Sequence, residues 1–93
     1  MDRLETLRNE IDSLDAQLVE LLARRFAVTD EVGQLKHTHA LPAVDAEREA
    51  RQAARITALA QEHGVDGELA WQVMRVIIDA VVRRHQAVSR ERT

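Results

Sequence analysis

Residues 2–37 read DRLETLRNEIDSLDAQLVELLARRFAVTDEVGQLKH. Apolar residues fall at Leu4, Leu7, Ile11, Leu14, Leu18 and Leu21, then at Val28, Val32 and Leu35. The steps alternate three and four without a slip, which is the seam of a heptad helix. No Pro interrupts the run, and its first Gly is Gly33. The spacing therefore predicts one helix from about residue 2 to 37, roughly 50 Å long at 1.5 Å per residue. A compact globule of this chain length has a diameter of only about 30–35 Å. Such a helix protrudes, and a second copy of the chain is the natural cover for its seam.

The chain has 93 residues, enough for a single domain over 1–93. A chain of this size buries only roughly 60–65% of the surface its unfolded form exposes. It has no Cys, so neither disulfides nor thiolate-held metal can staple it. Stability must come from helix packing or oligomerisation. One Pro, three Gly and no Tyr, with abundant Ala, Val, Leu, Arg and Glu, make an all-α protein. The net charge of −3, with both signs interspersed, argues against a nucleic-acid surface. Residues 1–10, MDRLETLRNE, lack a signal-peptide core, and Asp79 interrupts the aliphatic run Val76-Ile77-Ile78. A cytoplasmic protein that does not engage a membrane is expected.

Beyond the first helix, residues 37–44 have no periodicity and contain Pro42, so they read as a loop. Asp45 is placed to cap a second helix of about 45–63, and Gly64 to end it. Asp66 then opens a third helix, about 66–88, with Leu69, Val73, Ile77, Val81 and Val88 on one stripe. Ser89 to Thr93 read as a frayed tail.

Charges stand where a core should be. Arg25 occupies a seam position between Leu21 and Val28, where a guanidinium destabilises unless an anion meets it. A register-setting polar residue facing a partner carboxylate would also explain it. Lys36, eleven residues on, returns to within about 20° of Arg25 on the same helix face. Arg8 lies about 100° round from Arg25, so it serves that pocket only from another subunit. On the second helix Asp45, Arg48, Glu49 and Gln52 form one polar stripe leading into Ile56 and Leu59; a solvated helix end with internal ion pairs is its plainer explanation. His85 lies on the third helix's apolar face, as a core histidine or a site residue, while Arg83, Arg84 and Gln86 are expected in solvent. His37 and His39 lack a third ligand for a metal.

Together Arg8, Arg25, Lys36 and Arg48, with Glu49 and His85, outline a cationic pocket. No Ser or Cys is set as a nucleophile, and no Gly-rich phosphate loop is present. Such a cage suits a small polyanion that rearranges itself while the protein holds the reactive conformer and stabilises developing charge.

The series Leu7-Arg8-x-x-Ile11-Asp12-x-Leu14-Asp15, Leu21-Leu22-x-x-Arg25 and Val32-Gly33-x-x-Lys36 resembles the first helix of the all-helical chorismate mutases. Pro42 followed by Asp45-x-x-Arg48-Glu49 resembles the start of that family's second helix. The resemblance implies a cofactor-free isomerase of aromatic amino acid biosynthesis, on the shikimate pathway. Three-helix chains interlock as a homodimer with shared sites and convert chorismate to prephenate. It implies that Arg25 and the partner chain's Arg8 bind the substrate carboxylates and that Lys36 donates to the ether oxygen. Arg48 supports this cluster, Glu49 accepts from the ring hydroxyl, and Asp45 contacts that region. The third helix departs from the pattern: His85 stands where a Gln or Glu is common, and Val81 where a short polar residue is. An imidazole can still donate a hydrogen bond, with a rate that falls as it deprotonates. The same fold also serves 4-amino-4-deoxychorismate mutases and isochorismate pyruvate lyases. A non-enzymatic helical dimerisation module would account for the heptad but not for the charged set.

Overall fold

The computed structural model describes residues 2–91. They form three helices, α1 (Asp2–Thr38), α2 (Ala46–Glu62) and α3 (Gly67–Glu91), and no strand. α1 runs without a break through Gly33, because one glycine in a long helix costs about 1 kcal/mol and the remaining turns carry it. It ends at a left-handed residue, Ala40 (φ 54), with the Leu41 N–H donating to the Lys36 carbonyl at 2.7 Å. That closing pattern usually employs glycine.

Asp45 caps α2, its carboxylate accepting from the Arg48 N–H at 3.0 Å. α2 closes through Gly64 (φ 71), with the Val65 N–H donating to the Ala60 carbonyl at 2.8 Å. Asp66 caps α3 by accepting from the Glu68 N–H at 3.3 Å. Helical backbone continues through Ser89 and Arg90 to Glu91, where a frayed tail was expected. The rest of that expected tail, Arg92 and Thr93, lies outside the described residues.

α3 packs against both α1 and α2. The chain measures 58 × 26 × 15 Å, with a radius of gyration of 16.9 Å. A compact fold of this length would have a radius of about 12 Å. Among the described residues only Gly33, Ala60, Ile78 and His85 are buried. The α1 seam is bare: Leu14, Leu18, Val28 and Leu35 are each close to 60% exposed.

The third helix faces its neighbours differently from its stripe. Leu69 and Val73 are each 53% exposed, and Ile78 is the buried residue. The inward face runs through Ile78, Val81, Val82 and His85, because α3 must meet two helices rather than one. Gln86 is exposed, so α3 turns His85 inward and not its neighbour.

Candidate active site

Residues from all three helices meet in one open cleft of about 220 Å³. α1 contributes Arg25, Thr29, Val32 and Lys36, which recur at helical spacing on one face. α2 and the preceding loop add Ala43, Asp45, Arg48, Glu49 and Gln52, and α3 adds Ile78, Val81, Val82 and His85. Seven of the residues expected in the site are therefore neighbours: Arg25, Lys36, Asp45, Arg48, Glu49, Val81 and His85. Arg8 is not among them. It is exposed on α1, about 25 Å along the axis from Arg25.

Three cations and two carboxylates line the cleft, and each has a distinct situation. The Arg25 side chain is half-buried, and its Nη1 is buried with no hydrogen-bond partner among the described residues. An unsatisfied guanidinium nitrogen is costly, so this atom marks where an acceptor belongs. Lys36 Nζ donates to the Ala43 carbonyl oxygen at 3.2 Å, tying the end of α1 to the loop before α2. Asp45 is engaged by the backbone of Arg48 as the α2 cap, which positions the first turn of that helix. Arg48 and Glu49 follow on that turn.

Glu49 is not a free carboxylate. Arg75 Nη1 of α3 lies 3.6 Å from Glu49 Oε2, and Arg75 Nε lies 3.2 Å from Asp79 Oδ1. His85 is 4% exposed, and its Nε2 lies 2.8 Å from the Thr29 carbonyl oxygen. On the outer side of the same α1–α3 contact, Arg84 Nε donates to Asp30 Oδ1 at 2.9 Å, and its second nitrogen reaches the other oxygen. This paired donation holds the Asp30 carboxyl below the usual carboxylate range, against a smaller opposing effect of desolvation. The Arg84 guanidinium also stands 5.2 Å over the Phe26 ring. Arg84 is thus exposed, as expected, but engaged.

Several functional neighbours escaped the sequence reading. Thr29 was legible in principle, since it stands four residues after Arg25 and so on its face. Ile78, Val82, Arg75 and the Arg84–Asp30 pair were not, because they depend on how α3 rotates against its two neighbours. No group of three or more potential metal ligands occurs among the described residues. None of their helices is long and apolar enough to cross a membrane.

The arrangement can hold an anionic ligand between Arg25, Lys36 and Arg48 and meet a polar substituent at Glu49. The family model described as chorismate mutase type II matches residues 7–86. The T-protein of Haemophilus influenzae is 42% identical over 77 residues, covering 81% of this chain and 20% of that protein. The chorismate mutase of Methanocaldococcus jannaschii is 29% identical over 79 residues, covering 85% of this chain and 80% of the relative. The 4-amino-4-deoxychorismate mutase of Streptomyces pristinaespiralis is 27% identical over 81 residues, covering 87% of this chain and 60% of the relative. The chain thus spans a fifth of the T-protein and most of the archaeal enzyme.

Proposed function

The chain belongs to the chorismate mutase type II family, and from that membership we propose that it rearranges chorismate to prephenate. The reaction is a [3,3]-sigmatropic shift. The ether C–O bond breaks as a C–C bond forms, electrons move in a ring within one molecule, and no proton or cofactor is consumed. The protein has two tasks: to hold the dicarboxylate in its compact reactive conformer, and to stabilise negative charge growing on the ether oxygen.

The observation that carries this reading is the buried, unpartnered Arg25 Nη1 in a cleft also lined by Lys36 and Arg48. Arg25 takes one substrate carboxylate. Lys36 exchanges its bond to the Ala43 carbonyl for the ether oxygen, where an ammonium gains most as charge develops. Arg48 supports the anion. Glu49 accepts from the ring hydroxyl beside Asp45, while Val81 packs against the substrate. His85 adds a second donor. The Arg75 guanidinium beside Glu49 favours a neutral hydroxyl over a ring ammonium, since a further cation there would be repelled.

The working form is a homodimer, with residues 1–93 as one catalytic unit in the cytoplasm. Bare Leu14, Leu18, Val28 and Leu35 give a second copy a continuous apolar face to cover. The same association brings the partner chain's Arg8 to the second substrate carboxylate, which one chain leaves unmet.

A side-by-side assay with chorismate and 4-amino-4-deoxychorismate, following products by chromatography, tests the reading. Prephenate formation with chorismate preferred supports it. A preference for the amino substrate would keep the rearrangement and replace the substrate; turnover of neither would remove it.

A further inference from the structure

Glu49 belongs to the wall between two depressions. One is the cleft; the other is a shallow recess lined by Val44, Glu49, Arg75, Asp79, Val82 and Arg83. Only Glu49 and Val82 border both. Arg75 reaches Glu49 from outside the cleft. Its Nη1 lies 3.6 Å from Glu49 Oε2, while its Nε lies 3.2 Å from Asp79 Oδ1, one turn along α3. A carboxylate accepts at both oxygens, so a contact at Oε2 does not use Glu49 up.

As a structural tie this arrangement is weak. The Arg75 and Asp79 side chains are 50% and 44% exposed, and pairs so open to water add little stability. Glu49, at 22%, is less exposed, so a charge beside it is less screened. The cations of the cleft cannot stand in for Arg75. On the mutase reading Arg25, Lys36 and Arg48 meet a dianionic substrate, which offsets their charge. Arg75 and Arg83 line the recess alone and keep theirs when the cleft fills. Asp79 counters part of it at close range. The charge behind Glu49 is thus set by α3 residues that stand outside the cleft.

We infer that Arg75 and Asp79 form a charge balance outside the cleft that decides, through Glu49, which ring substituent is accepted. Arg75 weights the site toward a neutral hydroxyl, and Asp79 weights it back toward an ammonium. Arg75 is also the positioning residue of the Glu49 carboxylate. The inference rests on the mutase reading and deepens it, because it assigns substrate selection to two opposed residues of α3.

The test is the ratio of kcat/KM for 4-amino-4-deoxychorismate to that for chorismate, measured near neutral pH. Both substrates carry the same two carboxylates, so the ratio isolates the ring substituent. Where the amino compound turns over too slowly, its inhibition constant against chorismate supplies the same comparison. Arg75→Gln removes a cation beside Glu49 and should raise the ratio roughly two- to fivefold, the span of a partly screened charge pair. Asp79→Asn removes an anion and should lower the ratio by a smaller factor, since Asp79 reaches Glu49 only through Arg75. Arg75→Lys keeps the charge and should restore the native ratio. Both shifts should shrink in added salt. Loosened packing would not move the ratio in opposite directions from residues one turn apart. A ratio unchanged in Arg75→Gln and Asp79→Asn, or moved the same way by both, would overturn the inference and leave the mutase reading standing. So would an Arg75→Lys shift equal to that of Arg75→Gln. Turnover of neither substrate by the native chain would remove the mutase reading and this inference with it.

Discussion

Lys36 Nζ is hydrogen-bonded to the carbonyl oxygen of Ala43, seven residues away across the turn between α1 and α2. The bond makes one cation serve two purposes. It holds the loop that leads into the Asp45 cap, and it keeps an ammonium at the cleft wall beside Arg48. A neutral carbonyl is a weaker partner than a developing oxyanion, so the proposed exchange of acceptors would favour the transition state over the free protein.

Lys36→Met should therefore lower kcat by roughly 10²–10³-fold, the usual cost of removing one donor to developing charge. The lost loop tie should reduce Tm only slightly, because the bond is part-exposed and net hydrogen-bond contributions are about 1 kcal/mol. Turnover within a few-fold of the native value would show that the ether oxygen is served by another group.

Arg25→Leu separates a catalytic cleft from a mere dimer seam. Replacing a half-buried guanidinium that has an unsatisfied nitrogen with an apolar side chain should leave Tm unchanged or raise it. Turnover should fall at least ~10²-fold in the same protein. A variant that is more stable and still active would identify Arg25 as a register residue only.

Subunit mixing tests where Arg8 acts. Arg8→Ala and Arg25→Ala chains should each be nearly inactive alone. After exchange in equal amounts, half the dimers are mixed and each has one intact site, so about one quarter of native activity should return. No recovery after exchange has been verified by mass spectrometry would place each site within one chain.

The Asp30–Arg84 pair predicts a pH dependence of stability. Arg84 lowers the pKa of the folded-state Asp30 carboxyl, so the pair stabilises the fold above the unfolded pKa, near 4. That contribution is lost as pH falls through the depressed value. Asp30→Asn should thus have a lower Tm than the native chain at pH 7, with the gap closing in acid. Added salt should shrink the gap, since both side chains are about half exposed. A gap that persists unchanged to pH 2 would mean that the asparagine disturbs packing instead.

Much of the fold was legible because it is local. The three-four spacing of the α1 seam, the Asp45 and Asp66 caps and the Gly64 stop are relations between residues a turn apart, and they describe the helices without reference to anything distant. The polar set was legible for the same reason: Arg25 and Lys36 share a face, and Arg48 and Glu49 follow a cap. What lies on the inward face of α3 was legible only in part: the apolar stripe already set His85 inward and Gln86 in solvent, as the structure has them. One residue along a helix turns the face by about 100°, so the choice between Val73 and Ile78 depends on how α3 seats against two other helices. The tertiary structure alone placed the His85 ring over Gly33 with Nε2 at the Thr29 carbonyl, Arg75 beside Glu49, and Arg84 on Asp30, 54 residues away. Such pairings arise from packing between elements distant in sequence, and neither helix spacing nor capping chemistry carries that information.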